Sequence, residues 1–341
     1  MNLKSYKDSI GFLCLLYGLV FVVMILSLHI GRVEISFSQM VDCMKSYADS
    51  EAVGSCPPLI GKVLIDIRVP RIILAVLVGG ALAVSGASYQ TLFKNPLVSP
   101  SILGVSSGAA FGAALAMVLN GTWWEIQLLA LVFGLAAVGL ANLIAFIFGR
   151  KELTVLILGG VVVSSLFGSL LSILKLAADE ENVLPSIVFW LMGSLGRASM
   201  RDVQIIIPAL ILSLLMLYLY RYQINAMAAG EDEAATMGVR TSIVKICVIT
   251  AATLMTGIAV SMCGIVGWIG MVVPHMARLT IGSSFPKLIG FSFALGGLFL
   301  LLIDNLIRGV PDLDLPLGVL TSIFGTPIFV FFLSRVHKGW R

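Results

Sequence analysis

The chain has 341 residues, of which 59% are hydrophobic and only 12% charged, with a formal net charge of +4. A soluble domain carries about a quarter charged residues, so a soluble protein is excluded and a polytopic membrane protein is indicated. The net charge decides little, because in a membrane the side on which charges lie carries the information.

Ten apolar runs predict ten membrane-spanning helices, at roughly 11–30, 69–91, 102–119, 125–149, 154–177, 203–221, 242–262, 265–281, 287–307 and 317–334. The first is longer than a signal-peptide core and lacks a small-x-small cleavage site, which predicts a retained span. A loop of about 38 residues precedes the second and holds Cys43 and Cys56. Their spacing leaves a disulfide and two free thiols equally open. Cys14, Cys247 and Cys263 fall inside spans, where packing is expected. The second span starts at Arg68-Val69-Pro70-Arg71 and leads into a proline-bracketed loop, Phe93-Lys94-Asn95-Pro96-Leu97-Val98-Ser99-Pro100. Gly104, Gly108 and Gly112 on the third span, and Gly264, Gly267 and Gly270 at the start of the eighth, have the spacing that lets helix backbones approach closely in lipid. Between the sixth and seventh spans, Glu231, Asp232 and Glu233 suit the N-terminal dipole of a short helix, and Gly238 can end it. Ala234, Ala235 and Met237 would give that helix a small apolar face. The pattern alone fits either an interfacial helix or one seated in a cytoplasmic partner's groove.

Placing both termini in the cytoplasm puts 13 of the 22 Lys and Arg residues inside, Lys94, Arg150, Lys151 and Arg278 among them. Thirteen of the 18 acids then fall outside or near outer span ends, including Asp179, Glu180, Glu181, Asp312 and Asp314. The positive-inside rule favours this orientation. It leaves Arg68, Arg71 and Arg308 as outer cations, which fit either snorkelling and pairing with acids such as Asp66 and Asp304, or docking to an acidic partner.

No Walker A sequence occurs, and no Cys/His cluster has metal-ligand spacing. His29, His275 and His337 are far apart in sequence. An ion-coupled secondary transporter would need intramembrane carboxylates or broken helices at the midplane, and a membrane-embedded enzyme would need a catalytic cluster. The sequence offers neither, so energy for uphill transport is expected from another subunit.

Several stretches together resemble the permease subunits of type II ABC importers for iron–siderophore complexes, haem and cobalamin, the FecCD-like family. They are Arg68–Arg71, Gly86-Ala87-Ser88-Tyr89-Gln90, Asn95-Pro96-Leu97, Leu103-Gly104-Val105-Ser106-Ser107-Gly108, Phe189–Ser194 and Gly230–Gly238. Gly264–Gly270, Pro274-His275-Met276-Ala277-Arg278 and Leu315-Pro316-Leu317-Gly318 through Gly325-Thr326-Pro327 complete an ordered set over residues 60–335.

The resemblance implies an all-α fold of about ten transmembrane helices, forming one permease domain that pairs with a second copy around a central pathway. It also implies two cytoplasmic ATP-binding subunits, which act on ATP and Mg, and an extracytoplasmic substrate-binding protein. No cofactor, metal or nucleic acid is expected on this chain, and the setting is a bacterial inner membrane. Spans two to five and seven to ten should share an inverted fold, although no sequence repeat supports this. Arg68, Arg71 and Arg308 would dock the binding protein. Asn95, Pro96 and Leu97 would form a cytoplasmic gate, with Leu153 and Thr154 as a second constriction. There Glu152-Leu153-Thr154 departs from a Ser/Thr-rich pattern. Glu231, Asp232, Glu233, Ala234, Ala235, Met237 and Gly238 would couple to the ATPase within a segment of about 225–240. A short outer helix over about 186–196 would begin at Pro185 and be anchored by Phe189 and Trp190. His275 is expected to be structural. Asp314 stands where the family usually has glutamate, and Trp268 where phenylalanine is more frequent. The expected cargo is a ferric siderophore, followed by haem, cobalamin or molybdate.

Overall fold

A computed structural model of the chain describes residues 3–48, 56–149, 153–310 and 315–336, and these contain helices, turns and loops only. Arg150, Lys151, Glu152, Asp312, Asp314 and His337 lie outside the described residues. The first half comprises α1 (Leu3–Ser27), α2 (Phe37–Ala48), α3 (Pro58–Gly61), a π-helical stretch Lys62–Arg68, α4 (Val69–Leu92), α5 (Val105–Val118), α6 (Trp123–Gly149) and α7 (Leu153–Ala177). Then follow α8 (Val183–Leu191), α9 (Met200–Leu219), α10 (Arg221–Met227), α11 (Glu231–Thr236), α12 (Thr241–Cys263), α13 (Ile269–Ile281), α14 (Phe285–Gly309) and α15 (Leu317–Val336).

Every expected span has a helix. Six helical runs are long and apolar enough to cross a bilayer, and the shorter apolar stretches Gly11–Ser27, Val105–Val118, Ile269–Ile281 and Leu317–Phe332 complete the ten. The second span is longer than its apolar core suggests, because α3 and the π-helical stretch extend it to Pro58. The preceding loop is therefore partly helical, and the structure closes it with a Cys43–Cys56 disulfide. Cys247 and Cys263 are buried as expected, but Cys14 lies on an exposed face of α1.

α5 and α13 are 14 and 13 residues long, or about 20 Å, which is short of a ~30 Å hydrocarbon core. Irregular chain over 93–104 and 264–268 precedes each of these short helices. Where such backbone enters a membrane it needs protein cover. Val98, Pro100, Leu103 and Val266 are accordingly buried.

Two helices organise the bundle. α4 lies against α9, α12, α13 and α14, while α12 lies against α4, α5, α6 and α9. Each central helix thus packs on the short helix and long helix of the opposite half. Buried hydroxyls join the pair: Ser85 Oγ is 2.7 Å from Thr256 Oγ1, and Tyr89 Oη is 2.8 Å from Thr253 Oγ1. Glycine permits the closest approaches. A Cβ on Gly86 would sit 1.7 Å from Gly270 O, and one on Gly112 would sit 2.2 Å from Leu129 O. Gly104 has another role from the one its spacing suggested, starting α5 from a left-handed conformation (φ 87°).

Candidate functional site

α4 is about 36 Å long, so it separates an end carrying Arg68 and Arg71 from an end carrying Asn95–Leu97. At the arginine end, backbone hydrogen bonds stitch three elements together. Ser194 N donates to Cys263 O (2.7 Å), Leu317 N to Gly193 O (3.0 Å) and Gly318 N to Met192 O (2.8 Å).

Arg71, Asp304 and Arg308 form a buried ion triad. The fully buried Asp304 accepts from Arg71 Nε at 2.9 Å and lies 3.0 Å from Arg308 Nε. Arg308 also donates to the carbonyls of Ser27 and Ile30 and to Asn305 Oδ1. Pairing with Asp304, one of the two readings open from sequence, therefore holds for Arg71 and Arg308. Arg68 corrects the docking expectation. It is only 3% exposed and donates to the carbonyls of Leu28 and Val33. Its charge is used to clamp the chain leaving α1. Asp66 is exposed.

Arg68, Arg71 and Arg308 nevertheless line one cavity of about 460 Å³, together with Arg32, Arg197, Phe189, Ser194 and Leu315. Five arginines among the lining residues give this end a local excess of positive charge, partly offset by Asp304. Arg197 and Arg32 had no assigned role in the sequence, because only folding gathers them there. Arg197 also stacks over Trp123 at 4.9 Å and lines a second cavity of about 660 Å³ beside α8. The helix expected over 186–196 is α8, which begins earlier, at Val183, and ends at Leu191. Phe189 is exposed, but Trp190 is buried against α5 and α6 residues and is no interfacial anchor.

At the opposite end, α4 closes on a Schellman cap. Lys94 N donates to Thr91 O and Asn95 N to Gln90 O. Lys94 occupies the left-handed position at φ 51°, where glycine is favoured and other residues are strained by about 1–2 kcal/mol. Asn95 Oδ1 then accepts from Leu97 N at 2.9 Å, and Pro96 stiffens the tip. Leu97 is left 52% exposed. Leu153 and Thr154 start α7, with Leu153 half-buried and Thr154 exposed.

Gln90 anchors this loop. Its Nε2 lies 3.3 Å from Val98 O, 3.3 Å from Gly270 O and 3.2 Å from Met271 O, and its Oε1 accepts from Arg278. Gln90 and Arg278 were legible only as parts of motifs. His275, one turn before Arg278, is buried edge-on to Phe332.

The segment expected over 225–240 forms α10 and α11. α11 carries Glu231, Asp232 and Glu233 in its first turn. Gly238, at φ 81°, closes it with bonds to Ala235 O and from Val239 N to Ala234 O. The expected apolar face is divided, since Ala234 is fully buried while Ala235 and Met237 are exposed. Glu231 is also turned inward. It pairs with Lys245 at 2.6 Å and accepts from Thr241 Oγ1 at 3.2 Å, leaving Asp232 and Glu233 as the exposed acids. Asn225 Oδ1 caps α14 by accepting from Phe285 N at 2.9 Å.

This ten-span bundle, with its paired short helices, has the architecture that the motifs implied, and the profile of the FecCD transport family matches residues 19–335. The chain belongs to the FecCD transport family. It is a multi-pass permease of an ABC importer, a class in which partner ATPases hydrolyse the nucleotide. The molybdate import system permease protein MolB of Haemophilus influenzae is 33% identical over 329 residues, covering 95% of this chain and 96% of that protein. A protein named "Probable iron chelatin transport system permease protein" in Helicobacter pylori is 37% identical over 276 residues, covering 81% and 83%. A solved ABC transporter described as of metal-chelate type, in an inward-facing conformation, superposes with a TM-score of 0.82 at 32% identity, covering 96% of this chain and 99% of that one. The FecCD match places the chain in an ABC class rather than among ion-coupled secondary transporters.

Proposed function

We propose that this FecCD protein is the homodimeric permease of an importer that carries an anionic metal chelate, a ferric siderophore first, into the bacterial cytoplasm. The observation that carries this reading is the cavity lined by five arginines at the end where cargo would enter. An electropositive mouth raises the local concentration of anions and orients an acidic partner. Arg197 and the partly exposed Arg71 would face carboxylates on a binding protein, while the buried Arg68 and Arg308 hold the rim in shape. At the other end, Asn95, Pro96 and Leu97, with Leu153 and Thr154, would close the pathway. Asp232, Glu233, Ala235 and Met237 would meet the ATPase, and Glu231, Ala234 and Gly238 would hold α11 in place. Both termini would be cytoplasmic. The disulfide at the arginine end supports that orientation, because disulfides persist in oxidising compartments.

An oxyanion such as molybdate is the second reading, favoured by the 33% identity over 95% of the chain to a molybdate permease. The test is a binding screen of the cognate binding protein against ferric siderophores, haem, cobalamin and molybdate, followed by uptake in proteoliposomes. Uptake of a ferric chelate that falls about tenfold or more with Arg197→Glu is the expected result, a loss of about 1.4 kcal/mol. Molybdate binding alone would favour the second reading, and cobalamin binding alone would overturn both.

A further inference from the structure

The gate loop and the coupling segment are joined by one side chain. Lys94 Nζ donates to Ala229 O at 2.9 Å, across 135 residues of sequence. Ala229 lies in the turn between α10 and α11, two residues after Met227 and immediately before Gly230. On the other side, Lys94 is bonded through its backbone into the cap that leads directly to Asn95-Pro96-Leu97. We infer that Lys94 is a positioning residue, a strut that transmits displacement of the 225–240 segment to the gate leucine.

Three observations point the same way. Lys94 holds a left-handed backbone conformation that favours glycine, yet a long cationic side chain stands there. Its ammonium reaches a backbone carbonyl near a helix C-terminus, an acceptor that suits a cation and moves rigidly with the segment. The two anchorages of the loop also differ in kind. Gln90 ties its far side to Val98, Gly270 and Met271 in buried surroundings, while the Lys94 contact is exposed. A loop pinned on one side and tied to a moving element on the other turns about its pinned side. Leu97, three residues from Lys94 and braced to Asn95 Oδ1, turns with it. This inference rests on the proposed gate and coupling roles.

The test uses the full transporter, with its ATPase subunits, in proteoliposomes. Leu97→Cys is introduced in a Cys14→Ser background, and a membrane-impermeant maleimide supplied on the coupling side reports the labelling rate with and without ATP. With Lys94 present, ATP should change the rate by about fivefold, the factor one ordinary hydrogen bond supports. Lys94→Met should abolish most of that change, and Lys94→Arg, which keeps a cationic donor, should retain it. An ATP response undiminished in Lys94→Met overturns the strut and leaves the gate intact. No ATP response at Leu97→Cys with Lys94 present removes the gate reading, and the strut with it. Loss in both Lys94→Met and Lys94→Arg overturns the donor role specifically.

Discussion

The two ends of the bundle use charge in opposite ways. At the arginine end Arg32 and Arg197 are exposed, but the other three cations are held by the chain's own groups: Asp304 holds Arg71 and Arg308, and carbonyls after α1 hold Arg68 and part of Arg308. At the coupling end the charged groups are largely exposed and lightly tied, as Lys94 is to Ala229 O and Glu231 to Lys245. Burying a charge makes it expensive to leave unpaired, so the first end is fixed. Exposed contacts add little stability, so the second end is held less rigidly than the first. A rigid mouth for docking and a yielding mouth for gating suit an importer driven from the cytoplasm.

Substitutions can break or sharpen that contrast. Asp304→Ala leaves Arg71 and Arg308 without their shared counter-ion and should destabilise the protein by about 3–5 kcal/mol, read as a lowered thermal midpoint in detergent. Gln90→Leu strips the partner from Arg278 and the donor from Val98, Gly270 and Met271. A loss of about 1–3 kcal/mol in the same assay is expected, because Gln90 and most of its partners are buried. Lys245→Met removes the Glu231 ion pair and should cost about 0.5 kcal/mol, since the Glu231 side chain is 37% exposed. A Lys245→Met loss as large as that of Asp304→Ala would abolish the distinction between the ends.

Much of this was legible in the sequence for local reasons. Apolar length marks a span wherever it falls, and the acidic first turn and terminal glycine of α11 are read within eight residues. The resemblance rested on ordered short motifs, each a local pattern. What escaped was long-range. Arg278 meets Gln90 across 188 positions, so neither neighbourhood contains its partner, and across 233 positions Asp304 could be named only as one of two acids open to Arg71. Arg197 carried no local signal of its place in the electropositive cavity, and Trp190 looked like an interfacial anchor because burial of an aromatic depends on its tertiary neighbours.

By itself the sequence determined the membrane setting, the ten spans, the two ends of α11 and the family. Only the tertiary structure decided which apolar helices are central. In the most apolar 18-residue windows, 83% of Pro58–Leu92 is buried within the protein, against 22% of Trp123–Phe148. The reason is physical: lipid tails are as apolar as a protein core, so hydropathy cannot tell a helix that faces lipid from one that faces helices. Close backbone approach at glycine, hydroxyl pairs between α4 and α12, and the choice of counter-ion for each arginine make that distinction, and all of them exist only once the chain has folded.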